Sequence, residues 1–245
     1  VSKLPRNRRK LNISVFKIIL VLVLAIVIVG VGAGFGALKG ILDDTPNINA
    51  DALIPKGYKT TLVYQNGKEI TTLANSNSNR EYVYYDSIPE DLVNAFVAIE
   101  DRRFWEHNGI DVQGIASAFI KGLKSGDFDE GASTLTQQLI KNNVFNVGLN
   151  ESTFLDKLER KVQEQYLAVD MEKKIDKKSI VEYYLNTIYL GEGCYGVETA
   201  AKTYFGKELS QLSVSECAVL AAIPQNPTKY DPLLSPDDNK SRRTQ

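Results

Sequence analysis

The sequence has 245 residues, enough for one medium-sized domain plus a membrane anchor, and its 43% hydrophobic content can support a core. Its one histidine excludes a multi-histidine metal site, and two cysteines, Cys194 and Cys217, are too few for a disulfide framework. We expect two buried free thiols, with a bridge between them as the alternative. The formal net charge of −1 says little about partners, among which we expect no nucleic acid.

The N-terminal region has the pattern of a membrane anchor. Five of the first ten residues are basic and none is acidic, and residues 18–38 form an uncharged run. As a helix this run would span roughly 30 Å, the thickness of the bilayer's hydrocarbon core. We therefore predict a cytoplasmic tail over residues 1–12 and an uncleaved transmembrane helix over 13–39, with all later residues on the outer, non-cytoplasmic side.

Residues 40–84 are predicted to form a spacer that contains a β-hairpin. The runs TTLVY and KEITTL flank Asn66-Gly67, and Asn-Gly between two β-rich runs is a strong hairpin signal. EYVYY, from Glu81 to Tyr85, is expected to add one more short strand. From Pro89 onward the patterns are helical, so we predict a mainly α domain over 85–245 behind a small β element.

A helix is predicted from Pro89 to Phe104. Proline favours the first turn, and the acids at Glu90 and Asp91 suit the positive end of the helix dipole. Its apolar stripe at helical spacing comprises Val93, Phe96, Val97 and Phe104, with Glu100 on the same stripe.

Glu100 thus occupies a position where an apolar residue is expected. Desolvation would raise the pKa of this carboxyl group and make it a usable general base near neutral pH. The alternative is a structural ion pair, with Arg103 or another cation, at the edge of the core.

The segment GASTLTQQLIKN, residues 131–142, predicts a short helix capped by Thr134, with Gln137 at capping-box spacing. Thr134, Gln138 and Lys141 fall on one face of it. A hydroxyl, an amide and an ammonium group near a helix N-terminus suit an anion. The alternative is ordinary capping with a solvated face.

A third helix is predicted within residues 152–169. Arg160, Lys161 and Glu164 cluster on one side, where two cations could bind a diphosphate and the carboxylate could orient them, bind substrate or hold a metal. The alternative is a solvated surface ion pair. The opposite, apolar stripe is predicted to comprise Leu155, Leu158, Val162 and Val169.

Two further helices are predicted as scaffold. One is capped near Asp176 and ends at Gly191, and the other begins with a capping box formed by Ser213 and Glu216 and ends before Pro224. The core positions predicted on the first are Ile180, Tyr184, Leu185 and Ile188.

Taken together, four segments resemble the first four motifs of glycosyltransferase family 51, in the same order. This family contains the peptidoglycan glycosyltransferases of class A penicillin-binding proteins and of monofunctional transglycosylases. The segments are EDRRFWEHNGID at residue 100, GASTLTQQLIKN at 131, RKVQE at 160 and IVEYYLNTIYLGEGCYGVETAAKTYFGK at 180.

The resemblance implies a lysozyme-like, mainly α transferase domain with a membrane-embedded lower jaw, held outside the bacterial cell membrane by a single-pass anchor. Such enzymes polymerise lipid II into glycan strands by inverting β-1,4 transfer from a lipid-linked donor strand, and they release undecaprenyl diphosphate. The implied partners are lipid II, the lipid-linked glycan strand, the membrane and other cell-wall synthesis proteins. A lysozyme-like wall hydrolase and a non-catalytic, membrane-tethered cell-wall scaffold remain the alternatives.

By resemblance, Glu100 is the general base and Glu164 the second essential glutamate, which places the donor diphosphate directly or through Mg²⁺ or Mn²⁺. No organic cofactor is expected. The other implied site residues contact substrate or support the site. They are Asp101, Phe104, His107, Ser133, Thr134, Gln138, Lys141, Asn142, Arg160 and Lys161.

One departure from the family concerns its fifth motif, which begins with an Arg-rich segment, whereas this sequence stops at SRRTQ. We therefore expect the transferase domain to be truncated at its C-terminus. The hairpin region further suggests a bifunctional parent protein with a penicillin-binding domain. Outside the predicted anchor, where Ser14 and Lys17 have this spacing, the sequence carries no Ser-x-x-Lys motif, so no transpeptidation is expected from it.

Overall fold

A computed structural model of the chain describes residues 13–73, 79–125, 132–145 and 153–244. The structure divides into two units, of which the first extends to Pro46 and the second begins at Asn47. The predicted boundaries after residues 12, 39 and 84 stay predictions.

The first unit is one long helix, α1, which spans Ile13–Asp43. The segment Phe16–Asp43 is long and apolar enough to cross a membrane, and its side chains are not buried within the protein. This helix contains the predicted anchor and continues four residues beyond its predicted end at residue 39. Its insertion into a bilayer and its orientation stay predictions.

The predicted hairpin is confirmed. Strands β1, Thr60–Val63, and β2, Glu69–Leu73, pair antiparallel with an irregularity between Leu62 and Val63. Gly67 has a φ of +80°, the left-handed conformation that glycine adopts readily at the last position of a three-residue hairpin loop, here closed by the Tyr64 N–H, which donates to the Lys68 carbonyl at 2.7 Å.

The additional strand predicted at Glu81–Tyr85 is wrong. The backbone N–H of Val83 donates to Asn186 Oδ1 at 2.8 Å, and the Val83 carbonyl accepts from Asn186 Nδ2 at 2.8 Å. A buried side-chain amide thereby satisfies the groups that a neighbouring strand would have paired. This segment leads into a 3₁₀ turn at Tyr85–Ser87.

The rest of the second unit is mainly helical, as predicted. Short 3₁₀ turns lie at Ala50–Leu53 and Leu209–Gln211. The α-helices are α2 Glu90–Glu100, α3 Val112–Ser125, α4 Leu135–Asn143, α5 Phe154–Met171, α6 Lys177–Thr187, α7 Val197–Phe205, α8 Val214–Ala222 and α9 Pro236–Arg243.

Helix α4 lies at the centre of the core, where it packs against α5 and α6, while α2 packs against α8 and α8 against α9. Leu135, Leu139 and Ile140 of α4 are fully buried. The four core positions predicted on α6 are confirmed as buried. Both cysteines are buried and free, as expected.

Local capping signals define several helix starts. Asp176 and Ser213 cap α6 and α8 as predicted, with the full capping box at Ser213. Helix α6 ends at Thr187 rather than at Gly191. The chain leaves the helix because the Ile188 carbonyl accepts the Gly196 N–H at 2.8 Å across a glycine-rich turn.

Helix α2 ends at Glu100, four residues before its predicted end. Asp101 has a non-helical backbone, with φ −156° and ψ 70°, and a turn follows. Phe104 is nevertheless fully buried, because that turn folds it back into the core. The predicted burial of the stripe residues Val93, Phe96 and Val97 is confirmed.

The apolar stripe of α5 is not buried in the core. Leu155 and Leu158 are 69% and 47% exposed. The face of α5 that packs against the core contains both polar and apolar residues, because the buried Glu164 and the cations that bind it lie on that face. The buried residues of α5 are Gln163, Glu164, Leu167, Ala168 and Met171.

Gly109 is expected to be essential for packing the turn after α2 against α5. Its φ is +89°, and a Cβ there would lie 2.5 Å from the carbonyl carbon of Ala168. Gly206 is a matched control, because its φ is +64° and nothing would lie within 4 Å of a Cβ. Gly206→Ala should cost about 1–2 kcal/mol from backbone strain alone, and Gly109→Ala about 1–3 kcal/mol more. Urea denaturation measures both, and equal losses would contradict the close approach.

Candidate active site

The candidate site is a cavity of about 630 Å³ in the second unit. Helices α2, α3, α4, α5 and α9 and the loop after α8 contribute to its wall. The lining residues are Ile99, Glu100, Lys121, Ser133, Gln137, Gln138, Lys141, Lys161, Glu164, Pro224, Gln225, Tyr230 and Arg242.

Glu100 is the last residue of α2, and its side chain is only 9% exposed. Gln138 Nε2 donates to Glu100 Oε2 at 2.9 Å, and Tyr184 donates to Gln138 Oε1 at 3.1 Å. The second carboxylate oxygen, Oε1, faces Arg242 Nη2 at 3.5 Å. Burial raises the pKa of Glu100, while the Gln138 hydrogen bond and the Arg242 charge oppose that rise.

Asp101 connects the end of α2 to the start of α4. Its buried carboxylate accepts the backbone N–H of Leu135 at 2.9 Å, and both of its oxygens lie 3.0 Å from His107 Nε2. Thr134, the N-cap of α4, donates to the Gly109 carbonyl at 2.8 Å. Asp101, His107 and Thr134 therefore fix the turn that directly follows Glu100.

Phe104 and Thr134 are buried and do not line the cavity, so they cannot contact a substrate there. Phe104 is fully buried beneath the Lys177 ammonium group, which lies 4.2 Å from its ring centroid. Thr134 is buried as well, and it accepts the Gln137 N–H as predicted. Of the predicted capping box only this half forms, because Gln137 Nε2 donates to the Gly109 carbonyl.

Glu164 is fully buried and bound by two cations. Arg160 donates to Oε1, and Lys161 Nζ donates to Oε2 at 2.9 Å. Lys161 also contacts Ser133 Oγ at 2.6 Å. A buried carboxylate requires such pairing, so the solvated surface ion pair is ruled out for these residues. The prediction that they cluster is confirmed.

Lys141 presents its ammonium group to the cavity and makes no hydrogen bond or ion pair within the described ranges. Lys121, which sequence reasoning missed, lines the same cavity. Among the described residues, the lining contains four cations, Lys121, Lys141, Lys161 and Arg242, against the carboxylates of Glu100 and Glu164. This excess of positive charge suits a ligand with more than one negative charge.

Six of the predicted substrate-binding residues are not in the cavity wall: Asp101, Phe104, His107 and Thr134, described above, and also Asn142 and Arg160. Asn142 is exposed on α4, and Arg160 contacts Glu164, which lines the cavity. Sequence reasoning did not assign site roles to Pro224, Gln225, Tyr230 or Arg242. The segment IPQNPTKYDP was a signal for the first three, since consecutive turn residues after a helix often carry a binding loop.

The residues around Glu164 do not fit a divalent cation. Both carboxylate oxygens are already bound by cationic side chains, which would repel a metal. No group of three His, Cys, Asp or Glu side chains suitable for a metal occurs in the described part of the chain. We derive no step through a metal, and the predicted Mg²⁺ or Mn²⁺ stays a prediction.

The burial of Glu100 should make stability depend on pH in a defined direction. With its pKa raised on folding, the folded chain retains this proton to higher pH than the unfolded chain, whose glutamates titrate near about 4.3. Stability contributed by this group therefore falls as pH rises from the unfolded to the folded pKa. Each tenfold difference in proton affinity corresponds to about 1.4 kcal/mol.

Glu100→Gln removes the ionisation, so this variant should be more stable than the wild type above that pH interval and similar to it below. Urea denaturation of both proteins across pH measures the difference. A wild type that gains stability over Glu100→Gln as pH rises would contradict the raised pKa.

Comparison with known proteins shows the family of this chain. A family profile described as Transglycosylase matches residues 66–245. Penicillin-binding protein 1A of Clostridium novyi is 45% identical over 201 residues, covering 80% of this chain and 23% of that protein. Penicillin-binding protein 1A of Aquifex aeolicus is 50% identical over 164 residues, covering 67% and 22%. The chain thus spans about a quarter of the length of these relatives.

Among solved structures, penicillin-binding protein 1A from Haemophilus influenzae matches with a TM-score of 0.39 and 23% identity, covering 78% of this chain and 17% of that one. The family assignment depends on the profile, which covers most of the sequence. The chain belongs to the transglycosylase family, glycosyltransferase family 51.

Proposed function

We propose that this domain polymerises lipid II into peptidoglycan glycan strands, with a lipid-diphosphate-linked strand as donor and lipid II as acceptor. The observation that carries this proposal is the placement of one buried carboxylate, Glu100, in a cavity that also presents three lysines and an arginine. A glycosyl transfer with a diphosphate leaving group needs both features, a base for the acceptor hydroxyl and cations for the departing charge.

In this mechanism Glu100 removes the proton from the 4-hydroxyl of the acceptor sugar. The hydroxyl oxygen attacks the donor's anomeric carbon, and the bond from that carbon to the diphosphate oxygen breaks with its electron pair left on the diphosphate. Attack from the opposite face inverts the centre and gives a β-1,4 bond. The raised pKa of Glu100 suits this step, because a base works best when its pKa lies near the working pH.

The leaving undecaprenyl diphosphate gains negative charge, which Lys141 and Lys161 are placed to stabilise. Glu164 supports this indirectly, because it binds Arg160 and Lys161 and so fixes the position of the cations. Preorganised charges of this kind need no rearrangement during the reaction. We therefore propose that Glu164 acts through its cations.

A membrane location fits a substrate with a lipid tail. Helix α1 is suited to anchor the chain, with its N-terminal end proposed to lie in the cytoplasm. The second unit exposes large apolar side chains on two helices, a feature typical of a surface that contacts lipid. They are Phe119, Ile120 and Leu123 on α3 and Phe154, Leu155 and Leu158 on α5.

Polymerisation of lipid II in detergent tests the proposal. The wild-type chain should form glycan polymer, and Glu100→Gln should lower the rate by about 10²–10⁴-fold, because a positioned base contributes that much. Release of reducing sugar from finished peptidoglycan, without polymer, would support the wall hydrolase instead. Absence of both activities, with retained binding to wall-synthesis proteins, would support the scaffold.

The cationic wall has its own test. Lys141→Gln should lower the polymerisation rate by about 10²–10³-fold, since one preorganised group for a developing charge contributes that much. Lys174→Gln is the matched control, because Lys174 forms an exposed ion pair with Asp170 outside the cavity. Equal rates for the two variants would exclude a specific role for Lys141.

A further inference from the structure

We infer that Arg242 is a positioning residue for the base: its guanidinium holds the Glu100 carboxylate ionised and fixes the direction of one of its oxygens. The inference rests on the proposed function, in which Glu100 accepts a proton. Arg242 Nη2 lies 3.5 Å from Glu100 Oε1, although the two residues are 142 positions apart in the sequence. Both side chains are largely buried, at 16% and 9% exposure, so solvent screens this pair only weakly.

The position of Arg242 is set by the anchoring of α9. Asn239, one turn earlier on the same helix, is buried and donates to the Val219 carbonyl at 3.1 Å and to the Tyr230 carbonyl at 2.9 Å. The start of α9 is fixed as well, because the Ser235 N–H donates to the Asp231 carbonyl at 2.8 Å. Residues three apart lie on one helix face, so the anchor at Asn239 directs Arg242 toward α2.

The two oxygens of Glu100 have different partners. Oε2 accepts from the neutral amide of Gln138, which Tyr184 orients, whereas Oε1 faces the guanidinium of Arg242. The amide fixes geometry, and the cation adds an electrostatic preference for the ionised form. Burial and the neighbouring Asp101 charge act in the opposite direction.

Other charged or titratable groups lie close to Glu100 or line the cavity. Tyr184 of α6 lies below Gln138, and its own pKa is raised by burial and by the charge of Glu100. Arg242 is the cation that directly contacts Glu100, which separates it from the others. The remaining groups in the cavity wall are Lys121, Lys141, Lys161, Glu164 and Tyr230.

The test compares Arg242→Gln, Arg242→Lys and Arg243→Gln in the chain as it stands. Arg243 is the matched control, because it is the next residue of α9, carries the same charge and is exposed outside the Glu100 cavity. We expect Arg242→Gln to move the acid limb of the pH–rate profile, the fall in polymerisation rate toward low pH, to higher pH. On the acid side of the shifted limb the rate should be about tenfold below that of the wild type, and at alkaline pH it should recover. In Arg242→Lys the acid limb should lie close to its wild-type pH, and in Arg243→Gln it should not move.

An unmoved acid limb in Arg242→Gln would overturn the inference. So would a higher KM at every pH with an unchanged limb, which would assign Arg242 to substrate binding. A purely structural role predicts a pH-independent loss that Arg242→Lys does not restore, and this too would contradict the inference. Thermal unfolding of each variant establishes that the compared proteins are folded.

A second readout does not depend on activity. Carboxyl-¹³C glutamate labelling, with Glu100→Gln to assign the signal, gives the Glu100 titration midpoint directly by NMR. That midpoint should rise in Arg242→Gln and stay in place in Arg243→Gln. A shifted midpoint in a chain that does not polymerise lipid II would contradict the proposed function alone. If Glu100→Gln abolishes polymerisation but the Glu100 midpoint is the same in Arg242→Gln as in the wild type, only the inference is contradicted.

Discussion

The position of the end of α2 relative to α4 depends on the hydrogen bonds of the buried Asp101 carboxylate. One acceptor group satisfies the N–H of Leu135 at the start of α4 and holds His107 in the turn that follows α2. Helix α4 is the central helix of the core, so this contact couples the core to the end of α2. Glu100, the preceding residue, is thereby placed at the cavity wall next to Gln138 of the same central helix.

Two glutamates of this cavity differ because their surroundings differ. Glu164 is fully buried, and cationic side chains bind both of its carboxylate oxygens. Glu100 has an amide on one oxygen and a more distant guanidinium on the other, and its burial raises its pKa. The same side chain can therefore serve as a fixed counter-charge in one place and as a proton acceptor in the other.

Features encoded by neighbouring residues could be predicted from the sequence. The caps at Thr134, Asp176 and Ser213 depend on side chains that bond within one turn. The Asn66-Gly67 hairpin was found for the same reason. The clustering of Arg160, Lys161 and Glu164 followed from helical spacing, whereas the roles in catalysis came from the family resemblance.

Features that depend on distant contacts could not be found in this way. The buried face of α5 could not be predicted, because periodicity does not distinguish an apolar stripe that packs in the core from one that is exposed. Leu155 belongs to a stripe of the exposed kind. The strand expected at Glu81–Tyr85 failed because Asn186, about a hundred residues away, bonds to its backbone. Arg242 was missed for the same reason, because no local pattern predicts its contact with Glu100.

The central claim is that Glu100 acts as a general base in a buried, cation-lined cavity. Chemical rescue tests this claim most directly. In Glu100→Ala, truncation of the side chain leaves room for a small carboxylate, so added formate should restore lipid II polymerisation in a saturable manner that follows the ionised fraction of formate. A Glu100→Ala variant that polymerises lipid II at the wild-type rate without formate would contradict the account.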